Sequence, residues 1–551
     1  MDQNLESNDL ENLIIKDKNY YRKRRIKILS ITIPIILVTA IVIALIILLM
    51  PEPDNKIICL YNIEKANESI ILININNDIN YSLTINGTNH GKKNSHNFGK
   101  AGIYEVIFDF KNKLESLEGL FEENIYLIDA DLSKLQIDNI TSMASLFKSC
   151  KKLKRVYFDN KTPNLKNINN MFSDCLKLNT TYLNFDTSKV VKMDNMFYKC
   201  INLTSLDISN FNLESVVNTS SMFKECSNLK EIKFNDNTLT NNLEDMNSMF
   251  YGCSSLKSIN TKIFKTNKVF DLNYAFSGCS SLKELNLSHF EIGNITELIS
   301  VFSGCNNLEI LDISHFNTSN VYTIERLFYG CTNLQSLNIN MLDTRNLVVG
   351  TEAFSLCISL TSLDLSSLNF SSLVFLDSMF RGCISLQNLS LPDFIPFIDT
   401  TEKMFEHCRN LTSINLNFMQ SSTKWKKAKN MFSYCYNLTE IMFPKVNASN
   451  LLFTNEMFFN CNKLKSIDLK ELYTLNIQDM SSMFGGCKDL DYLNIENLNT
   501  LNALYFDKIF NNIDKKVNVT YNASITNHKL IEEIKKISVD NTYIILKELF
   551  Y

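Results

Sequence analysis

Residues 276–290 read FSGCSSLKELNLSHF, and residues 302–316 read FSGCNNLEILDISHF. Both contain Phe-x-x-Cys-x-x-Leu, a pattern that occurs fourteen times between Phe147 and Leu490 at intervals of 25 to 27 residues. A unit this short cannot bury its own apolar side chains, so neighbouring units must stack on each other. The pattern therefore predicts a solenoid with one continuous core and long exposed faces.

The residues after Cys200 show the period of a strand. Leu206 and Ile208 alternate with Ser205 and Asp207, which is typical of a strand with one buried face. The same alternation of apolar and polar positions recurs in nearly every unit. We therefore predict one half-buried strand in each unit.

The residues before Cys200 show a different period. Val190, Met193, Met196 and Phe197 recur every three or four residues, which indicates the apolar side of a short helix. Hydroxyl groups in the preceding loop can cap such a helix. The predicted fold class is α/β: a leucine-rich-repeat type solenoid with a strand plus a short helix in each 25–27-residue unit.

The whole unit, Met-Phe-x-x-Cys-x-x-Leu-x-x-Leu-x-Leu-Ser-x-Phe-x-Thr-Ser-x-Val, resembles the BspA-like leucine-rich repeat, also called the 26-residue surface-protein repeat. Residues 277–290 and 303–321 match it best, and the match covers roughly residues 120 to 510. The resemblance implies a surface-exposed, adhesion-type protein of bacteria or of parasitic or commensal protists. It implies a class of role and no particular ligand.

Length and composition favour a folded repeat array. A chain of 551 residues exceeds one ordinary domain core, and only 14 Gly and 7 Pro argue against a disordered stalk. The net charge is -4, with Lys and Arg spread over the units, so nucleic acid is an unfavourable partner. No pattern for a cofactor is present.

Residues 28–50 carry no charge and, as a helix of about 35 Å, would span a bilayer core of about 30 Å. Four Arg or Lys residues at 22–25 precede this transmembrane segment, and acidic residues follow it at 52–54. The positive-inside rule then predicts a single-pass type II protein with residues 1–27 as a cytoplasmic tail. A cleaved signal peptide is the alternative, but its apolar region is shorter and ends at small residues.

The remaining segments are predicted to flank and cap the solenoid. Residues 51–113 lack the repeat and contain apolar runs with turn signals, which indicates a small β-rich domain or N-terminal cap. The solenoid is assigned to residues 114–512 and a C-terminal cap to residues 513–551. In the tail, Asp9 to Ile14 resembles an acidic dileucine sorting signal, a short pattern that also arises by chance.

Fourteen of the fifteen cysteines are the repeat cysteine. We predict buried free thiols packed between helix and sheet, with a structural role. Disulfides between the cysteines of successive units are the alternative. Successive units lie about 4.8 Å apart, and disulfides accept Cα separations from about 4.4 Å. A metal site is disfavoured, since single thiols in a line do not converge on one ion. The cysteines of the central units are Cys200, Cys226, Cys253, Cys279, Cys305, Cys331, Cys357 and Cys383.

The candidate ligand-binding face is the exposed side of the strands. The seventh residue after the cysteine is polar in most units, and such groups one rung apart could bind a protein or a glycan. A solvated strand face would be polar without any ligand, and this interpretation has equal weight. The candidate residues are Asp207, Asn260, Asn286, Asp312, Asn338, Asp364, Asn415 and Asp468.

No catalytic constellation emerges from the sequence, so an enzyme is not predicted. His289 and His315 hold equivalent places in successive units, but two imidazoles make a weak metal site. The predicted function is adhesion or recognition of a protein, extracellular matrix or glycan ligand by an extracellular solenoid. A structural surface-coat component or spacer without a specific ligand is the alternative.

Overall fold

The computed structural model describes residues 54–75, 78–420, 422–513, 515–522, 528–540 and 544–549. The chain divides into two compact units, Met1–Asp54 and Asn55–Tyr551. The predicted cytoplasmic tail and membrane span, residues 1–50, lie outside the described residues, as does the possible sorting signal. Among the helices that are described, none combines the length and the apolar character needed to cross a membrane.

Six strands precede the repeats. They are β1 (Lys56–Ile63), β2 (Glu68–Ile71), β3 (Tyr81–Ile85), β4 (Thr88–Gly91), β5 (Ser95–Phe98) and β6 (Gly102–Phe110). β1 lies antiparallel between β6 and the first repeat strand, β7 (Leu127–Asp131). The sheet of the N-terminal segment therefore continues directly into the solenoid and covers its first unit.

The repeats form a β-solenoid of about 16 turns, in which short strands pair in parallel with strands of the next unit. The strands in the described part of the solenoid are β8 (Arg155–Asp159), β9 (Thr180–Asn184), β10 (Ser205–Asp207), β11 (Glu231–Lys233), β12 (Ile310–Asp312), β13 (Ser336–Asn338), β14 (Ser362–Asp364), β15 (Asn388–Ser390), β16 (Ser413–Asn415), β17 (Glu440–Met442), β18 (Val446–Ala448), β19 (Ser466–Asp468), β20 (Leu472–Thr474) and β21 (Tyr492–Asn494).

The prediction of a short helix in each unit is wrong. In place of the helix, each described unit has a one-residue parallel bridge followed by consecutive turns that end at the cysteine. Short 3-10 turns occur only at Thr261–Ile263 and Asn417–Met419 within the described residues. The α/β class assignment is therefore corrected to a β-solenoid with little helix.

Backbone geometry explains why the helix does not form. In the unit of Cys200, Asn195 and Lys199 have φ values of 54° and 56°, and equivalent left-handed residues recur five and one positions before every repeat cysteine. A left-handed residue interrupts an α-helix. Alternate N–H groups then point to the next unit: those of Met143 and Phe147 donate to Asn167 and Met171, each at 2.9 Å. The apolar period of three and four arises from turns instead of a helix.

The repeat phenylalanines form the centre of the core. Their rings stack from Phe121 to Phe510, with neighbouring centroids 5.3–6.0 Å apart and interplanar angles of 3–22°. All of these rings are buried. This stack links every unit to the next and holds the faces of the solenoid in register.

The solenoid ends in β22 (Val517–Asn522), helix α1 (His528–Asp540) and β23 (Ile544–Leu549). β22 pairs in parallel with β21 and with β23, so that the last strands extend the sheet of the repeats. Leu530, Ile531 and Ile534 of α1 are buried. The helix therefore contributes apolar side chains to the C-terminal end of the core.

Candidate ligand-binding face

Units are named below by their cysteine, and the strand face is the surface formed by the outward residues five and seven positions after it. All eight predicted binding residues lie on this face. Seven are exposed, and Asp468 is half-buried. In their strands, exposed residues alternate with buried residues such as Leu206 and Leu311. The buried residues face the core, so the predicted residues face outward.

Most of these side chains have a structural task at the end of the strand. In seven of the eight, Oδ1 accepts the backbone N–H two residues later at 2.9–3.2 Å; Asn338 is the exception. This Asx turn reverses the chain after the strand. The frequent Asp and Asn at this position are therefore explained by the turn alone.

Three aspartates of the strand face accept hydrogen bonds from the serine two residues later. The hydroxyl groups of Ser209, Ser314 and Ser366, and then the N–H groups of the same serines, hold the pKa of Asp207, Asp312 and Asp364 below its usual range. Asp207 also lies 3.2 Å from the ammonium of Lys233 in the next unit.

The predicted series of polar residues is not continuous along the strand face. Strands of the central units pair in twos, so Asp312 lies opposite Asn338, and Asp364 lies opposite Ser390. β13 and β14 belong to different sheets, although they occupy successive units. The structure therefore brings the eight residues to one face but does not space them evenly.

A groove of about 1210 Å³ opens on this face across the units of Cys253, Cys279 and Cys305. It contains two of the predicted residues, Asn286 and Asp312. Its other outward lining residues are mostly charged or polar: Lys257, Ser258, Ser281, Lys283, Glu284, Ser288, Asn307, Glu309, Ile310 and His315. It is the part of the strand face with the shape of a binding site.

The units of Cys253 and Cys279 are joined differently on the two sides of the solenoid. Within the described residues, no backbone hydrogen bond joins 257–260 to 283–286. At the opposite side, the N–H of Gly252 donates to Ser277 at 2.7 Å, and the rings of Phe250 and Phe276 are 5.7 Å apart. The opening therefore lies entirely on the strand face, between units that remain in contact elsewhere.

The lining combines both charges with an apolar side chain. Lys257 and Lys283 lie in successive units, and both line the groove. Glu284 and Glu309 also lie in successive units, and Glu309 directly precedes Ile310. Ile310 is 64% exposed, although it belongs to a strand. Alternating ammonium and carboxylate groups around one exposed apolar side chain can bind the mixed surface of another polypeptide.

The two equivalent histidines, His289 and His315, form hydrogen bonds with backbone carbonyl groups. The Nε2 atoms of His289 and His315 lie 2.7 Å and 2.9 Å from the carbonyl oxygens of Thr261 and Leu287 in the preceding unit. Among the described residues, no group of three or more His, Cys, Asp or Glu side chains is placed to hold a metal ion.

The repeat cysteines are free and buried. Each Sγ donates to the carbonyl oxygen of the repeat phenylalanine in the preceding unit at 2.9–3.2 Å, or, for Cys150, to that of Phe121. Burial raises the pKa of Cys226, Cys305 and Cys383 to about 12, so these thiols stay protonated at neutral pH. Their position identifies them as packing groups rather than nucleophiles.

Two exposed tyrosines on the strand face escaped the sequence analysis. Tyr157 and Tyr182 are 39% and 53% exposed, and they lie opposite each other in the paired strands β8 and β9. The signal was present, because both occupy the seventh position after the cysteine, where most other units are polar. Aromatic side chains at such positions add contact area for a partner.

Family models match nearly all of the solenoid. The model described as "Mycoplasma protein of unknown function, DUF285" matches residues 115–236, 231–310 and 296–425. The model described as "BspA type Leucine rich repeat region (6 copies)" matches residues 375–513 and 428–540. No curated protein matches the chain.

Two solved structures are similar to the chain at low identity. A leucine-rich repeat protein from Eubacterium ventriosum is 17% identical, with a TM-score of 0.29, over 58% of this chain and 80% of that one. A chain of the TLR13–ssRNA13 complex is 16% identical, with a TM-score of 0.17, over 79% of this chain and 84% of that one. From the family matches, the chain belongs to the DUF285 family, and it is a BspA-like leucine-rich-repeat protein.

Proposed function

We propose that this chain is a cell-surface recognition protein that binds a protein ligand on its strand face. Leucine-rich-repeat proteins bind proteins or other ligands in general. The observation that carries the proposal is the groove on the strand face across the units of Cys253, Cys279 and Cys305. Its lining combines lysines and glutamates with the exposed Ile310.

The groove chemistry favours a polypeptide over a glycan or a small molecule. Lys257 and Lys283 can bind carboxylates of a partner, while Glu284 and Glu309 can bind ammonium or guanidinium groups. Ile310 supplies an apolar contact at the centre. Matrix and glycan ligands remain within the proposed class, with contacts spread over Tyr157, Tyr182 and the polar strand positions.

The membrane anchor and its orientation complete the proposal. The uncharged residues 28–50 and the basic residues before them favour a single-pass type II protein, with the solenoid outside the cell. Adhesion is the specific role we propose. Binding without catalysis is also part of the proposal, since the repeat supplies packing groups and turns rather than reactive sets.

An extracellular protein and glycan array tests the proposal with the full chain in lipid nanodiscs. We expect binding that a Lys257→Glu/Lys283→Glu variant loses at least tenfold. The matched control is Lys463→Glu/Lys488→Glu, which makes the same charge change at exposed sites away from the groove. Equal binding by both variants would contradict the groove as the site.

A surface-coat component or spacer is the second candidate. The observation in its favour is that the Asx turns account for the polar residues of the strand face without a ligand. It predicts that the full chain binds nothing on the array, while the cell still displays it densely. Specific binding by the unmodified chain would exclude this alternative.

A further inference from the structure

A second face of the solenoid carries an apolar centre. We define the bridge face as the residues nine, eight and six positions before each cysteine, most of which are exposed or half-buried. They line the one-residue bridges that connect Glu297, Thr323, Val349 and Phe375 in successive units. Tyr322 and Phe375 are 42% and 39% exposed. Val348, Val349 and Val374 lie half-buried between them, so the centre spans three successive units.

The N-terminal side of this centre is acidic. Glu244 and Asp245, Asp271 and Glu297 occupy the bridge face of the units of Cys253, Cys279 and Cys305. Desolvation and the nearby charge of Asp271 raise the pKa of Asp245, while the Asn247 N–H opposes this shift. A cationic partner would relieve this crowding of like charges. No Lys or Arg occupies a bridge-face position in these units.

The C-terminal side of the centre is basic. All three bridge-face positions in the unit of Cys435 are lysines: Lys426, Lys427 and Lys429. The intervening unit of Cys408 is acidic, but Lys426 neutralises its Asp399 at 2.6 Å. Lys427 and Lys429 therefore form a basic block three units C-terminal to the unit of Val349. The acidic residue Asp271 lies three units away on the N-terminal side.

We propose that the bridge face binds the bridge face of a second copy of this chain in an antiparallel pair. A two-fold axis through Val349 places Tyr322 against Val374 and Phe375 of the partner copy. The same rotation places Lys427 and Lys429 against the acidic block around Asp271, twice in each pair. Charge complementarity and an apolar centre on one self-complementary surface identify a second copy as the occupant.

The pair is expected to be weak. Seven units at about 4.8 Å give a contact about 30 Å long and only a few residues wide, which is at the low end of specific interfaces. Glu402 faces Glu297 across the axis, and Asp377 faces Glu325 beside the apolar side chains, so two kinds of like-charge pair reduce the affinity further. Its charged ends make the association sensitive to salt.

Antiparallel pairing would join molecules from facing membranes. The N-terminal ends of the two copies point in opposite directions, so two anchored copies would extend from opposite sides. This consequence rests on the proposed membrane anchor and adhesive role, whereas the pairing itself does not. Many weak pairs between two surfaces would then act together through multivalency.

Analytical ultracentrifugation of the full chain in detergent tests the pairing. We expect a monomer–dimer equilibrium that weakens at least tenfold between about 50 mM and about 500 mM salt. Lys427→Glu/Lys429→Glu and Asp271→Lys should each abolish the dimer by placing like charges together. Their one-to-one mixture should dimerise, because both ends are then attractive.

This mixing rescue separates pairing from misfolding, since neither variant is altered when the two are combined. The control is Tyr182→Ser, which removes an exposed aromatic ring from the strand face and should leave the dimer intact, while Phe375→Ser should weaken it. A strictly monomeric full chain, or charge variants that dimerise as the unmodified chain does, would overturn the proposal. Array binding that survives in a monomeric chain would reject the pairing and leave the proposed function standing.

Discussion

At the residue scale, Gly278 shows how tightly the turns of adjacent units approach. Its φ is 74°, and a β-carbon at this position would lie 3.2 Å from the Cα of Gly252 in the preceding unit. Glycine at this position avoids both the strain of the left-handed backbone and the close contact. Other units adopt the same left-handed conformation with a side chain, as at Lys199, so the contact between Gly252 and Gly278 is what makes this unit sensitive.

Gly278→Ala is expected to destabilise the protein by about 1–3 kcal/mol, because it adds strain in the left-handed region and a backbone clash. Gly350→Ala is the matched control. Its φ is not left-handed, its new β-carbon meets only ordinary contacts at 3.4 Å or more, and a small apolar cavity of about 30 Å³ lies beside Leu347 and Met379. This control should gain about 0.4–1 kcal/mol. Urea unfolding followed by Trp425 fluorescence measures both changes, and equal losses in the two variants would contradict the account.

At the element scale, the repeat strands and the apolar positions were predictable because their signals are local. The alternation around Leu206 identifies the strand, and fourteen cysteines in register identify the stack. The helix before Cys200 was predicted wrongly because turns and a helix give the same three- and four-residue apolar spacing. The distinguishing signal was the Gly, Asn or Ser at left-handed positions, such as Gly278 and Asn195, which a helix would disfavour.

The candidate site was predictable only as a face. Asp312 and Asn286 were placed on the correct side by the period of two, but their Asx turns depend on backbone conformation after the strand. The groove spans three units, and nothing in the local sequence of Lys257 or Lys283 indicates it. The bridge face was hidden because its residues were assigned to a helix.

The Asx turn at the end of each strand makes a separate prediction. Asp312→Ala should lower the unfolding temperature, while Asp312→Asn should retain it, because the amide oxygen still accepts the Ser314 N–H. The depressed pKa of Asp312 means that its stabilisation is present above the unfolded pKa of about 3.9 and is lost as the pH falls through the lower folded pKa. Differential scanning calorimetry at several acid pH values checks both effects. An equal loss in the two variants would show that the turn does not depend on this oxygen.

At the scale of the whole molecule, fourteen thiols respond to pH together. Burial raises the pKa of each repeat cysteine above its value in an unfolded chain. Cys305 is among those with the smallest increase, and its pKa is raised to about 12. Their stabilisation is therefore complete below the unfolded pKa of about 8.5 and is lost progressively as the pH rises toward the folded pKa. One unit above the unfolded value, each thiol destabilises the fold by about 1.4 kcal/mol.

The sum over fourteen units is about 20 kcal/mol, which is comparable to the total stability of a chain of this length at about 0.05–0.15 kcal/mol per residue. We expect the free energy of unfolding to fall steeply above about pH 8.5, and thiolate absorbance to rise in the same transition as the change in Trp425 fluorescence. Thiolate absorbance that rises gradually while the fluorescence of Trp425 is unchanged would mean that the cysteines are accessible in the folded protein.

The proposed function requires the whole solenoid to lie outside the cell. Protease treatment of intact cells that express the chain with an N-terminal and a C-terminal tag tests this directly. We predict that the C-terminal tag is lost, while a membrane-bound fragment with the N-terminal tag survives. A protected C-terminal tag on intact cells, with cleavage only after permeabilisation, would contradict surface recognition by the strand face.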